Sequence, residues 1–149
     1  MLTLGSCSPF DRQVLPKVTE IQVFKAAHRM VFLNGNTVIK KYKIKLGFAP
    51  IGHKQFQGDG KTPEGQYYID RKNPNSRYYL SVGISYPNAA DRAAANGKDP
   101  GGDIFIHGTP RLFRFMFQDW TWGCIAVSNR DIKEIYEMVD IGTTIRIFP

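Results

Sequence analysis

The feature that most limits what this chain can fold into is a hairpin signal set among runs of period two. Asn34-Gly35 stands between Met30-Val31-Phe32-Leu33 and a run ending in Lys41-Tyr42-Lys43-Ile44-Lys45-Leu46. Asn and Gly tolerate the positive φ that a tight two-residue turn demands, so the pair predicts an antiparallel hairpin. Alternation of lysine with apolar residues gives one solvated and one buried strand side, a pattern that builds sheet. Strands are expected near 20–25, 29–33 and 37–46.

Breakers crowd the next stretch. Between Gly47 and Gly65 lie Pro50, Gly52, Gly58, Gly60 and Pro63, so a long structured loop is expected there, placed to serve as a substrate wall or lid. Strands follow over 66–71 and 78–85, rich in Tyr, Ile and Val. Asp91 is expected to cap a short helix over 92–96 that Gly97 stops, and the Pro100-Gly101-Gly102 turn to feed a buried strand over 103–107. Ser128 or Asn129 opens the clearest helix, with Asp131 in its first turn and Ile132, Ile135, Tyr136 and Val139 at helical spacing. A strand over 143–148 closes the chain. The sum is a mainly β domain with one or two helices, and 149 residues suffice for one such domain to bury a core without disulfide staples.

Partners are narrowed by charge. Twenty Lys plus Arg against 13 Asp plus Glu give a net charge of +7, which favours an anionic partner. Zinc-finger spacing, a basic heptad region and an RNP-type aromatic signature are all missing, so no nucleic acid is expected. Apolar runs such as Ile104 to Ile106 fall far short of the roughly 18 residues of a membrane-spanning helix, which excludes a multi-pass helical membrane protein. Only Cys7 and Cys124 occur, neither with a ligand at metal spacing, so no metal site is expected.

Cys124 stands out for chemistry. In Thr121-Trp122-Gly123-Cys124, a Gly directly before a Cys permits a sharp turn and can aim successive N–H groups at one point, as an oxyanion hole requires. His107, at the end of an apolar strand and followed by Gly108, can take the thiol proton. On residue types alone an inert core cysteine and a strand-end histidine satisfying a backbone group are equal competitors, and His28 and His53 are rival bases. Asp119 reads as a turn-capping residue, and the alternation of Phe113, Phe115 and Phe117 reads as packing on one face.

Taken together, His107-Gly108, then Thr121-x-Gly123-Cys124, resembles the signature of the L,D-transpeptidase catalytic domain (YkuD) family. Gly47, the Gly58-Asp59-Gly60-Lys61-Thr62-Pro63-Glu64-Gly65-x-Tyr67 loop, Ile84-Ser85-Tyr86-Pro87-Asn88, Pro100-Gly101-Gly102-Asp103-Ile104 and Gly142-Thr143 add to the resemblance, which covers roughly residues 20 to 148. Trp122 replaces the second His of the common motif, and Asp119-Trp120-Thr121-x-Gly123-Cys124-Ile125-Ala126-Val127 resembles a proteobacterial branch that also includes enzymes cutting peptidoglycan amide links.

The resemblance implies a β-sandwich or barrel-like catalytic domain over 20–149 preceded by an N-terminal segment, 1–19. It implies Cys124 as nucleophile and His107 as base, with backbone groups of Gly123, Cys124 and Gly108 around the oxyanion and the ring. Thr121, Trp122, Tyr86 and His53 are candidate cleft residues. The implied substrate is a peptidoglycan stem peptide, or the link to a peptidoglycan-attached lipoprotein, in the bacterial envelope or periplasm, with no cofactor. Leu4-Gly5-Ser6-Cys7 resembles a lipobox without the basic and apolar stretches of a signal, so membrane attachment is expected only if Cys7 is lipidated.

Overall fold

The computed structural model describes residues 14–149. Cys7 and the lipobox-like segment lie outside the described residues. Eight strands form one continuous sheet: β1 (Glu20–Phe24), β2 (Arg29–Asn34), β3 (Thr37–Lys43), β4 (Gly65–Ser76), β5 (Tyr79–Ile84), β6 (Phe105–His107), β7 (Ile125–Ala126) and β8 (Thr144–Phe148). Helices α1 (Ala89–Ala94) and α2 (Asn129–Met138) and a 3-10 turn at Arg111–Phe113 complete the set. Among the described residues no helix is long and apolar enough to cross a membrane.

The strand order is β3-β2-β1-β8-β4-β5-β6-β7. β1 runs parallel to β8 and β6 parallel to β7, and the other neighbours are antiparallel. β4 turns the corner, since Gly65 to Tyr68 pair with β8 while Ile69 to Ser76 pair with β5 across two register shifts. The ends of this order then meet: Lys45 N–H donates to the Ala126 carbonyl at 2.9 Å and Ala126 N–H to the Lys45 carbonyl at 2.8 Å. That bridge folds the sheet back on itself into a barrel-like body and covers the free edge of β7. Inside lie Ile21, Val23, Phe32, Ile69, Ile84, Ile106, Ile125, Ile145 and Ile147, with Ile132 and Ile135 of α2.

Most expected elements are present, with instructive shifts. The third strand ends at Lys43, although the lysine alternation persists, with Ile44 and Leu46 buried. β4 extends beyond Arg71 to Ser76 because β5 supplies a partner for residues that locally favour turns. Asp103 has a φ of +52°, so the strand after the glycine turn begins at Phe105. The short helix starts three residues earlier than its expected range, and Asn88, not Asp91, is its cap. Asn88 accepts from the Asp91 amide and Asp91 from the Asn88 amide, a reciprocal capping box.

The long loop is pinned by two buried lysines. Lys25 Nζ donates to the Gly52 carbonyl (2.7 Å), the Thr62 carbonyl (2.9 Å) and Glu64 (3.0 Å). Lys54 Nζ donates to Asp59 (2.8 Å) and the Phe56 carbonyl (3.0 Å), while the Asp59 carboxylate accepts from the Gln55, Phe56 and Lys61 amides. Burial alone raises the Asp59 pKa, but Lys54 and the three amides outweigh it and hold the carboxyl down at about 2.

Ile106 is fully buried on the core side of the strand that carries His107. Ile106→Ala is expected to lower the unfolding free energy by about 2–5 kcal/mol in urea denaturation. Lys41→Ala, on the solvent side of β3, should change it by less than about 0.5 kcal/mol.

Candidate active site

Register places His107 and Cys124 together. β6 and β7 pair in parallel with Ile106 opposite Ile125 and His107 opposite Ala126. Side chains alternate along a strand, so Ile106 and Ile125 face the core while His107 and Cys124, one residue before β7, lie on the opposite face as diagonal neighbours. Both line one cleft of about 550 Å³, with Asn73, Arg77, Tyr78 and Phe105 in its wall. Cys124 also opens onto a second hollow of about 120 Å³ lined by Lys54, Gln57, Gly58, Gly102 and Trp122.

His107 is buried, and its Nδ1 lies 2.6 Å from the Gly108 carbonyl. A carbonyl only accepts, so Nδ1 carries the proton and Nε2 is left as the basic nitrogen. Tyr78 stacks on the imidazole at 4.2 Å, and Trp120 flanks it at 5.7 Å. Gly108 is required by crowding: a Cβ there would meet Asn129 Oδ1 and stand 2.6 Å from the Tyr78 carbonyl.

Thr121 organises the approach to the thiol. Its hydroxyl donates to the Cys124 carbonyl (2.7 Å) and accepts from the Gly123 amide (3.2 Å). Gly123 has a φ of +131°, and a Cβ there would sit 2.7 Å from the Lys61 carbonyl. The two amides expected to serve an oxyanion therefore differ: Gly123 N–H is engaged by Thr121, while Cys124 N–H has no hydrogen-bond partner among the described residues. Gly108 N–H is also engaged, by the Tyr78 carbonyl at 3.1 Å.

The other candidates lie elsewhere. Tyr86 is buried, donating to the Pro100 carbonyl at 2.7 Å. His53 bridges Asp91 and the Glu64 amide and lines neither hollow at Cys124. Asp119 accepts from the Leu46 amide and pairs with His28 at 2.8 Å, so it does not orient His107. Trp122 stands 68% exposed at the rim of the small hollow, edge-on to Phe48 at 4.9 Å. The phenylalanines do not pack on one face. Phe113 turns in to stack on Trp120 at 4.7 Å, and Phe115 and Phe117 point outward. Sequence reasoning missed Tyr78, whose place over the imidazole comes from the β4–β5 hairpin and carries no local signal.

A model of the L,D-transpeptidase catalytic domain, YkuD, matches residues 19–147. The chain belongs to this family. It is 33% identical over 136 residues to Escherichia coli "Putative L,D-transpeptidase YafK", covering 87% of this chain and 50% of that protein. The helical cell shape determining protein Pgp2 of Campylobacter jejuni superposes with a TM-score of 0.69 at 29% identity, over 87% of this chain and 47% of that one. Bd1075 of Bdellovibrio bacteriovorus gives 0.65 at 25% identity, over 93% and 50%. The chain thus spans about half the length of the relatives it matches.

In this YkuD domain the resting pair is uncharged. Burial pushes the Cys124 thiol up to about 11, against the opposing pull of the Phe105 amide 3.4 Å away, and Sγ in turn donates to the Asp103 carbonyl at 3.4 Å. Burial pushes the His107 imidazolium below its usual range, outweighing the Gly108 carbonyl. At neutral pH the site holds a thiol and a neutral imidazole ready to accept a proton. Iodoacetamide labelling of Cys124, read by peptide mass spectrometry so that Cys7 is separated, should rise about tenfold per pH unit from 7 to 10. A plateau below pH 8 would mean a preformed thiolate.

Proposed function

We propose that this domain carries out Cys124-dependent acyl transfer on peptidoglycan stem peptides in the bacterial envelope, through a thioester on Sγ. Membership of the L,D-transpeptidase family supports the substrate class, and the observation that carries the chemistry is the shared cleft of Cys124 and His107 on one face of β6 and β7. A volume of about 550 Å³ is within the range of pockets that hold a compact ligand.

The proposed steps draw on groups that line the cleft. Rotation of Sγ from the Asp103 carbonyl toward His107 lets Nε2 take the thiol proton as sulfur attacks the donor carbonyl. Cys124 N–H is the donor free to meet the developing oxyanion, and loss of one such donor typically raises the barrier by about 3 kcal/mol. The imidazolium then protonates the departing amine, leaving the acyl group on sulfur. An amine acceptor gives a cross-link; water gives hydrolysis.

The small hollow favours hydrolysis as a second reading. At about 120 Å³ it has less than a quarter of the volume of the cleft across Cys124, which suits a single small leaving residue better than a second stem peptide. Likeness to a helical cell shape determining protein supports a role in cell shape.

Muropeptide mass spectrometry of purified sacculi tests both. The wild-type chain should produce either new cross-links between third-position residues or release of small residues and attached peptide. Cys124→Ala should abolish the change, by about a thousandfold or more, and His107→Ala should slow it by about 100- to 10,000-fold. Identical profiles for wild type and Cys124→Ala would overturn the assignment.

A further inference from the structure

Between the His107 strand and the Thr121 turn the chain runs Arg111-Leu112-Phe113-Arg114-Phe115-Met116-Phe117. The segment is firmly held. Thr109 hydroxyl donates to the Val127 carbonyl (2.7 Å) and its amide to Asn129 (2.9 Å). Phe113, Arg114 and Met116 amides close successive turns onto Pro110, Arg111 and Phe113, the Phe113 ring stacks on Trp120, and Lys45 binds the Phe117 carbonyl.

From this pinned frame three large apolar side chains stand in the open. Leu112 is 90% exposed, Phe115 75% and Phe117 94%. Single exposed hydrophobes need no explanation, but three within six residues form a feature that a neighbouring surface would cover. Cations surround them. Arg114 lies over the Phe115 ring at 4.7 Å, Arg111 begins the turn, and beside them a hollow of about 490 Å³ brings Arg114 together with Arg29, Lys43 and Lys45, with Asp131 the acidic side chain in its wall.

We propose that Arg111–Phe117 is a membrane-docking segment, which inserts Leu112, Phe115 and Phe117 into the interfacial layer of an anionic phospholipid bilayer while Arg111, Arg114 and the Arg29–Lys43–Lys45 wall meet the headgroups. Apolar tips interleaved with arginine are what an interfacial segment requires, because apolar burial and attraction to anionic lipid act together. None of the three tips lines that hollow. A second copy would bring a like charge of +7 against the same cationic face. Because the segment joins the His107 strand to the Cys124 turn, docking would hold the cleft beside the headgroup layer. This docking is independent of the acyl-transfer reading, which is tested on lipid-free sacculi.

Co-sedimentation of the full chain with vesicles of phosphatidylglycerol mixed with phosphatidylethanolamine, and with vesicles of phosphatidylcholine, tests it. Wild type should bind the anionic vesicles and not the zwitterionic ones. Phe115→Ser with Phe117→Ser should weaken binding by about tenfold or more, as should Arg111→Glu with Arg114→Glu, while Phe115→Leu with Phe117→Leu keeps it. Circular dichroism should match wild type for all three, since the phenylalanine tips are exposed. No binding to anionic vesicles at low salt would overturn docking, as would binding that the serine pair leaves unchanged, the mark of diffuse charge alone. Light scattering that shows a dimer dispersed by the serine pair, without vesicle binding, would assign the tips to self-association instead.

Discussion

Everything at the site depends on the short parallel pairing of Phe105–His107 with Ile125–Ala126. A slip of one residue would turn His107 or Cys124 into the core and bring an isoleucine out. Two fully buried isoleucines on the reverse face oppose that slip, each contributing about 1.5–3 kcal/mol by burial. The Lys45–Ala126 bridge fixes the outer edge of β7, and the Thr121 hydroxyl ties the incoming turn to the Cys124 carbonyl. Placement of Cys124 beside His107 thus rests on core packing, far more than on contacts between the two side chains.

The long loop illustrates a different way of fixing a wall. Residues 48–64, which lie in neither strand nor helix, cannot be ordered by a backbone ladder, so polar groups inside them need other partners. Lys25 and Lys54 provide these from buried positions. Burial pulls the Lys25 pKa down, with Glu64 opposing, so its ammonium is retained only because two carbonyls and a carboxylate satisfy it. Replacing Lys25 by an apolar residue would take a donor from the Gly52 and Thr62 carbonyls and from Glu64, and replacing Lys54 would take one from the Phe56 carbonyl and Asp59. The reward for that polar interior is a fixed side to the small hollow, where Lys54, Gln57 and Gly58 face Cys124.

Periodicity in the sequence carried much of this fold because its strands have one wet and one dry side. The lysine alternation at 41–45 and the isoleucines at 145 and 147 appear as expected. Local signals misled where a partner distant in sequence decides the outcome. Arg71 to Ser76 is turn-like in composition yet pairs with β5, and Asp91 looks like a helix cap yet serves as the third helical residue of a box capped by Asn88. Flanking glycines singled out His107 and Cys124. Tyr78 over the imidazole was not legible, since it depends on how the β4–β5 hairpin meets the His107 strand, and the capture of the Gly123 amide by Thr121, though local, depends on the turn's own backbone geometry.

The electrostatics of the resting site follow from the same burial that fixes its geometry. A thiol pushed up to about 11 beside an imidazole pushed down disfavours the charged pair in the empty cleft. In the proposed reaction, proton transfer becomes favourable only when sulfur forms its bond to carbon, because the negative charge then passes to the substrate oxygen near the Cys124 amide and never rests fully on sulfur. Oxidation and adventitious alkylation both require thiolate, so a neutral resting thiol is protected from both. The Asp103 carbonyl contributes by holding Sγ as a donor, and in the proposed reaction a bound substrate would release it. Reactivity in such a site is set by the substrate's arrival more than by the free enzyme's pKa.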